Sequence, residues 1–194
     1  MERRVGAIGA RVRLSALLLA ALAVGVVLWT LMALSADGAI AVGSSPMAVA
    51  IDAATGRAFV LSQATANERV SVLDTAGRRV VQTIEWPWGL KPTSGLPSPN
   101  AVAIDGRSGR AFVTDANTDS INVLDMWSGR VLKRVAAPWS PNAVAIASQT
   151  ARVFIVGGRV AMLDARTGAP LREIPIGGDA VAVDTRVARV FIAE

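Results

Sequence analysis

One motif recurs through most of the chain, and this repetition limits the fold more than any other feature. Ser45-Pro46-Met47-Ala48-Val49-Ala50-Ile51-Asp52 returns as Ser98-Pro99-Asn100-Ala101-Val102-Ala103-Ile104-Asp105. It returns again as Ser140-Pro141-Asn142-Ala143-Val144-Ala145-Ile146-Ala147, and in shortened form as Gly178-Asp179-Ala180-Val181-Ala182-Val183-Asp184. Ile51, Ile104, Ile146 and Val183 are separated in turn by 53, 42 and 37 residues. A period near 40 belongs to propeller blades or to helical arrays. The content of each unit decides between them. The Ala-Val-Ala-Ile runs, 110–113, 121–124 and 130–135 are short, rich in Val and Ile, and divided by turn residues. Beyond residue 35 no stretch sustains a helical period, so the expectation is an all-β propeller with four short strands, A to D, per unit.

The turns repeat with the strands. Strands A and C end in Asp, with Gly four residues on: Asp52 and Gly56, Asp105 and Gly109, Asp125 and Gly129, Asp164 and Gly168. An Asp side chain accepts from backbone amides two residues along, and Gly takes the left-handed conformation that closes such a hairpin. A ring of metal ligands or catalytic carboxylates is the sharper reading of these aspartates. Their recurrence at successive hairpins favours turn architecture.

The 194 residues include no Cys, His or Tyr. Disulfides, thiolate nucleophiles, imidazole bases and zinc sites built on Cys or His are therefore excluded. General acid–base chemistry would fall to Asp, Glu, Lys91 or Lys133. Of the net charge of +5, residues 1–13 carry +3 through Arg3, Arg4, Arg11 and Arg13 against Glu2, which leaves +2 for the rest. The remaining arginines are spread at regular intervals instead of gathering on one face, so a nucleic-acid partner is not expected.

Leu14 to Leu34 is a run of twenty-one uncharged residues. As a helix it would span roughly 30 Å, the thickness of a bilayer's hydrocarbon core. All four arginines precede it and the first acidic residue after it is Asp37. This puts the basic N-terminus, 1–13, in the cytoplasm and the rest outside. Ala33-Leu34-Ser35 resembles a signal-peptidase site, but the apolar run is long for a cleaved signal, and an uncleaved single-span anchor is preferred to secretion after cleavage near Ser35.

Phe112-Val113-Thr114-Asp115, Ile121-Asn122-Val123-Leu124-Asp125 and the following Ser-Gly-Arg with its return strand resemble the YVTN-type β-propeller repeat family, which includes YncE-like proteins. The resemblance covers about residues 39–194. It implies a disc of radial four-stranded blades, commonly exported, that serves as a binding or surface scaffold. Some related propellers are lactonases or quinoprotein-like dehydrogenases, but the family brings no fixed catalytic motif to place on this chain and implies no cofactor here.

Divided accordingly, residues 35–44 are a linker and candidate closing strand, and blades cover 45–97, 98–139, 140–177 and an incomplete 178–194. Propellers close with about four to eight blades. About three and a half blades leave open edges, so the expectation is the N-terminal part of a longer propeller. Assembly of open arcs across subunits is the second reading.

In a propeller the D–A and B–C loops share one face, and the A–B and C–D turns share the other. The short regular turns occupy the second face, so a ligand is expected on the first. That face carries the one long insertion, Glu85 to Pro97, with Trp86, Trp88 and Lys91, and Pro138-Trp139 is its counterpart one unit on. Tryptophans, a lysine and rigid prolines suit recognition of a sugar, a peptide or a partner protein. The plainer reading is that Trp86 and Trp139 cover gaps between blades. The B–C loop bearing Asp115, Asn117 and Asp119 reaches the same face, with oxygen ligands that suit calcium but lack the EF-hand spacing. With no catalytic constellation in view, the expectation is a non-catalytic scaffold that contacts a protein or envelope polymer. The alternatives are a propeller enzyme whose active site lies in further blades, and a nucleic-acid-binding propeller.

Overall fold

A computed structural model describes residues 39–62, 69–85 and 100–194. The span Leu14 to Leu34, Ser35, and the insertion residues Trp86, Trp88 and Lys91 lie outside the described residues. Fourteen strands are present among the described residues. They are β1 (Pro46–Asp52), β2 (Arg57–Ser62), β3 (Arg69–Asp74), β4 (Arg79–Glu85), β5 (Ala101–Asp105), β6 (Arg110–Asp115) and β7 (Ser120–Asp125), then β8 (Val131–Ala136), β9 (Ala143–Ala147), β10 (Arg152–Val156), β11 (Val160–Asp164), β12 (Pro170–Ile174), β13 (Ala180–Asp184) and β14 (Arg189–Ala193). They form three four-stranded meanders, β1–β4, β5–β8 and β9–β12, and the hairpin β13–β14. Every pairing is antiparallel.

The repeated sequence becomes repeated geometry. Gly56, Gly109, Gly129 and Gly168 all sit at φ of 64–66°, the left-handed region that costs an L-residue steric energy. The third-to-fourth strand pairing shifts register at the same place in each meander, at Val72/Leu73, Val123/Leu124 and Met162/Leu163. The Arg that opens each second strand faces the Asp that ends the third: Arg57 opposite Asp74, Arg110 opposite Asp125, Arg152 opposite Asp164. Two of these pairs bring opposite charges to 3.6 and 3.8 Å. This pairing explains why the arginines recur at intervals.

The sheets pack face to face. Each first strand meets both the first and second strands of the sheet before it: β5 on β1 and β2, β9 on β5 and β6, β13 on β9 and β10. The apolar faces between them form the core. Phe59, Leu61, Val70 and Val72 of the first sheet pack with Val102, Val113, Leu124 and Met126 of the second. Phe112, Ile121 and Val123 of the second pack with Val153, Ile155 and Leu163 of the third. On the far face of the first sheet, Ile40 and Val42 pack over Ala58, Val60 and Leu73.

Residues 39–43 form no strand. The hydroxyls of Ser62 and Ser71, on β2 and β3, both donate to the Val42 carbonyl, at 2.8 and 3.1 Å. These bonds hold the segment across the first sheet's face, while the β13–β14 sheet contains those two strands alone. The candidate closing strand is therefore seated as a cover on the first sheet.

Candidate binding face

Alternating chain direction puts the β6–β7 turn beside the β8–β9 and β12–β13 connections, on one face. Four of the seven candidate residues are described there, and local bonds set their positions. Asp115 is buried at the end of β6, and its Oδ1 accepts the Thr118 amide at 3.0 Å. Asn117 lies on the same turn. Asp119 holds a left-handed conformation, φ 47°, which turns the chain into β7. Its Oδ1 accepts the Ser140 amide at 3.0 Å, and its carbonyl accepts the Ala137 amide at 2.8 Å. The B–C turn and the following D–A connection are thus tied together, as the shared-face expectation requires.

Trp139 sits on that connection, half-buried against the core between the second and third sheets. Its carbonyl accepts the Gly158 amide at 2.8 Å. Its indole Nε1 is buried without a hydrogen-bond partner among the described residues, so the ring acts through its apolar body as a cover between blades.

Other groups on this face were not singled out from sequence. Asn100 Oδ1 accepts the Ala116 amide at 3.0 Å, and its own amide donates to the Thr114 carbonyl at 2.9 Å. Asn142, one unit on, donates its amide to the Val156 carbonyl at 2.8 Å and its Nδ2 to Asp179 Oδ1 at 3.4 Å. The signal was present in the repeated Ser-Pro-Asn, where Asn holds one register in two units. Asn122 is fully buried on β7, with Nδ2 to Ser120 Oγ at 3.4 Å and no partner for Oδ1 among the described residues. A buried, half-satisfied amide inside an apolar strand could not be told from an outward-facing one by spacing alone.

The opposite face holds the short turns, and there the carboxylates are committed. Asp125 Oδ1 accepts the amides of Ser128 and Trp127 and the Ser128 hydroxyl, at 2.8, 3.1 and 2.9 Å. Asp164 repeats this with Thr167 and Arg166, at 2.9–3.0 Å. The Ser128 bonds hold Asp125 below its ordinary pKa, and the Thr167 amide does the same for Asp164; partial desolvation opposes both. Asp184 is lowered chiefly by Arg186. Such groups stay ionised and make poor general acids. Among the described residues no three carboxylates come close enough to share a cation. Trp127 also lies on this face, 53% exposed, with the Arg57 guanidinium 5.5 Å from its ring centre.

No family model matches the chain, and no curated protein matches it. Solved structures do. The chain is similar to the Dos1 propeller at TM-score 0.61 and 13% identity, over 76% of this chain and 38% of that one. It is similar to the hydrazine synthase of Kuenenia stuttgartiensis at 0.60 and 15%, over 78% and 42%. For the WD40 β-propeller domain of Doa1 the values are 0.54 and 13%, over 78% and 48%. The chain spans less than half the length of each. At these identities the likeness concerns the fold: the described sheets are the blades of a β-propeller.

Proposed function

We propose that this chain is a non-catalytic binding scaffold of the YVTN/YncE-like kind, exported and held at the membrane by Leu14 to Leu34. Its partner is a protein or envelope polymer, docked on the face of the D–A and B–C loops. The observation that carries the reading is the bonding of that face into one platform. Asp119 fixes Ser140, Asn100 fixes Ala116, and Asn142 reaches Asp179 on the next blade. A platform ordered before binding loses little entropy on association. In the sequence, Trp86, Trp88 and Lys91 follow directly on β4.

A scaffold rather than an enzyme is supported by the commitment of Asp125 and Asp164 to turn amides. The pairing of Arg110 and Arg152 with these aspartates is in keeping with arginines engaged in turn architecture instead of a single basic stripe for nucleic acid. The WD40 domain among the similar structures is in keeping with a protein partner.

The test is capture from native membranes by the full-length chain. W88A/K91A is expected to lose the partner retained by wild type and by W127A. Elemental and cofactor analysis of the same preparation is expected to find nothing stoichiometric. One bound metal or cofactor per chain would overturn the non-catalytic reading in favour of a propeller enzyme.

A further inference from the structure

The repeating unit returns every A–B and C–D turn to one face, so arginines spaced evenly along the chain gather there in space. On the turns of the three four-stranded sheets Arg78, Arg107, Arg130 and Arg166 are exposed, and none is in an ion pair among the described residues. The aspartates of these turns are all buried or half-buried. Asp52 accepts the Ala54 amide and the Thr55 hydroxyl, and Asp74 the Ala76 and Gly77 amides, as Asp125 and Asp164 do in their own turns. Exposed carboxylates lie at the other end of the strands, at Asp119 and Asp179. Trp127 stands exposed among the arginines, and it is the one aromatic residue on these turns.

We propose that this turn face lies against the anionic headgroups of the membrane in which Leu14 to Leu34 is anchored, an inference that rests on the membrane reading of that run. The course of the chain supports it. Val42 is bonded at the loop end of the first sheet, to Ser62 at the end of β2 and Ser71 near the start of β3. Two residues earlier, Ile40 packs with Ala58, Val60 and Leu73, which lie toward the turn end of the same strands. Traced back from β1, the segment runs toward the turn face. Residues 35–39, which join it to Leu34, reach at most about 18 Å when fully extended. A span ending at Leu34 therefore keeps the turn face near the bilayer surface and leaves the loop face free for a partner. Arginines near an anionic leaflet are attracted to it across the whole face, and an exposed indole suits the headgroup level. These arginines sit on separate turns around one Trp, not along a groove with an aromatic for each successive base, which favours lipid headgroups over nucleic acid.

The test reconstitutes the full-length chain in phosphatidylcholine vesicles, with and without phosphatidylglycerol, that carry a headgroup quencher in both leaflets. The chain contains no Cys, so A76C on the turn face and P138C on the loop face, both exposed, each hold a single fluorophore. The dye at 76 is expected to be quenched in the phosphatidylglycerol vesicles, and much less without that lipid or in high salt. The dye at 138 is expected to stay bright in both. R78G/R107Q/R166Q spares the fold, because Arg78 holds φ 49° where the matching turns have Gly129 and Gly168, and the other two side chains are exposed. It is expected to shift the equilibrium off the headgroups about 150-fold, at about fivefold for each arginine, with an unchanged circular dichroism spectrum. Alkaline carbonate separates the proposal from the membrane reading. A chain that stays with the vesicles while position 76 is unquenched, or quenched no more than 138, overturns the proposal alone. A chain that carbonate extracts overturns both. Tighter binding of a DNA duplex than of phosphatidylglycerol vesicles through the same arginines overturns it in favour of a nucleic-acid face.

Discussion

The carboxylate of Asp52, at the end of β1, occupies the place beside Gly106 where a Cβ would stand. The backbone of Gly106 is ordinary, so a methyl group there must push the Asp52 carboxylate off its bonds to the Ala54 amide and the Thr55 hydroxyl. Gly106→Ala is therefore expected to cost about 1 kcal/mol, the usual worth of such bonds. Asp52→Ala should recover part of that loss. Denaturant titration of the two single variants and the double variant measures the coupling, and additive losses would contradict the contact.

Ala188 closes the β13–β14 turn at φ 53°, in the position that Gly56 and Gly109 take at 66° in the first two blades. An L-residue pays about 1 kcal/mol in that region. Ala188→Gly is expected to raise stability by about that amount. Thermal unfolding of the variant beside wild type tests it.

Acid should loosen the turn face first. Asp125 and Asp164 have folded-state pKa values below the ordinary carboxylate range. Their contribution is present above an unfolded pKa of about 3.9 and is lost as pH falls through the folded values. The melting temperature should drop as pH falls below about 5 and go on falling through the lowered folded values. D125N/D164N should show a shallower drop from a lower starting point, and an unchanged pH profile in that variant would remove these groups from the account.

Phe112 lies between the second and third blades with no exposure. Phe112→Ala is expected to destabilise by about 3–5 kcal/mol through the cavity it leaves. Trp139→Phe should cost much less, because the indole N–H it removes makes no hydrogen bond among the described residues. Calorimetry on both variants distinguishes a packing role for Trp139 from a polar one.

Much of the fold was legible because its signals are local. The runs at 110–113, 121–124, 180–183 and 189–192 fall within β6, β7, β13 and β14, since strand propensity and Asp…Gly turns act over a few residues. The site was less legible because side-chain facing depends on the neighbouring blade. Trp139 and Trp127 each sit in a connection after a strand, yet the first packs into the core and the second projects from the opposite face. Asp105 has the same turn motif as Asp52. Yet Asp105 is buried while Asp52 is only partly so, and its Oδ1 has no partner among the described residues.

The central claim is that one loop face docks a partner, and site-specific photo-crosslinking in native membranes tests it most directly. A photoreactive residue is placed at position 88, in the insertion that follows β4 in the sequence, or at position 127, on the turn face. The account predicts one discrete partner adduct from position 88 and none from position 127. The same adduct from position 127, with none from position 88, would contradict it.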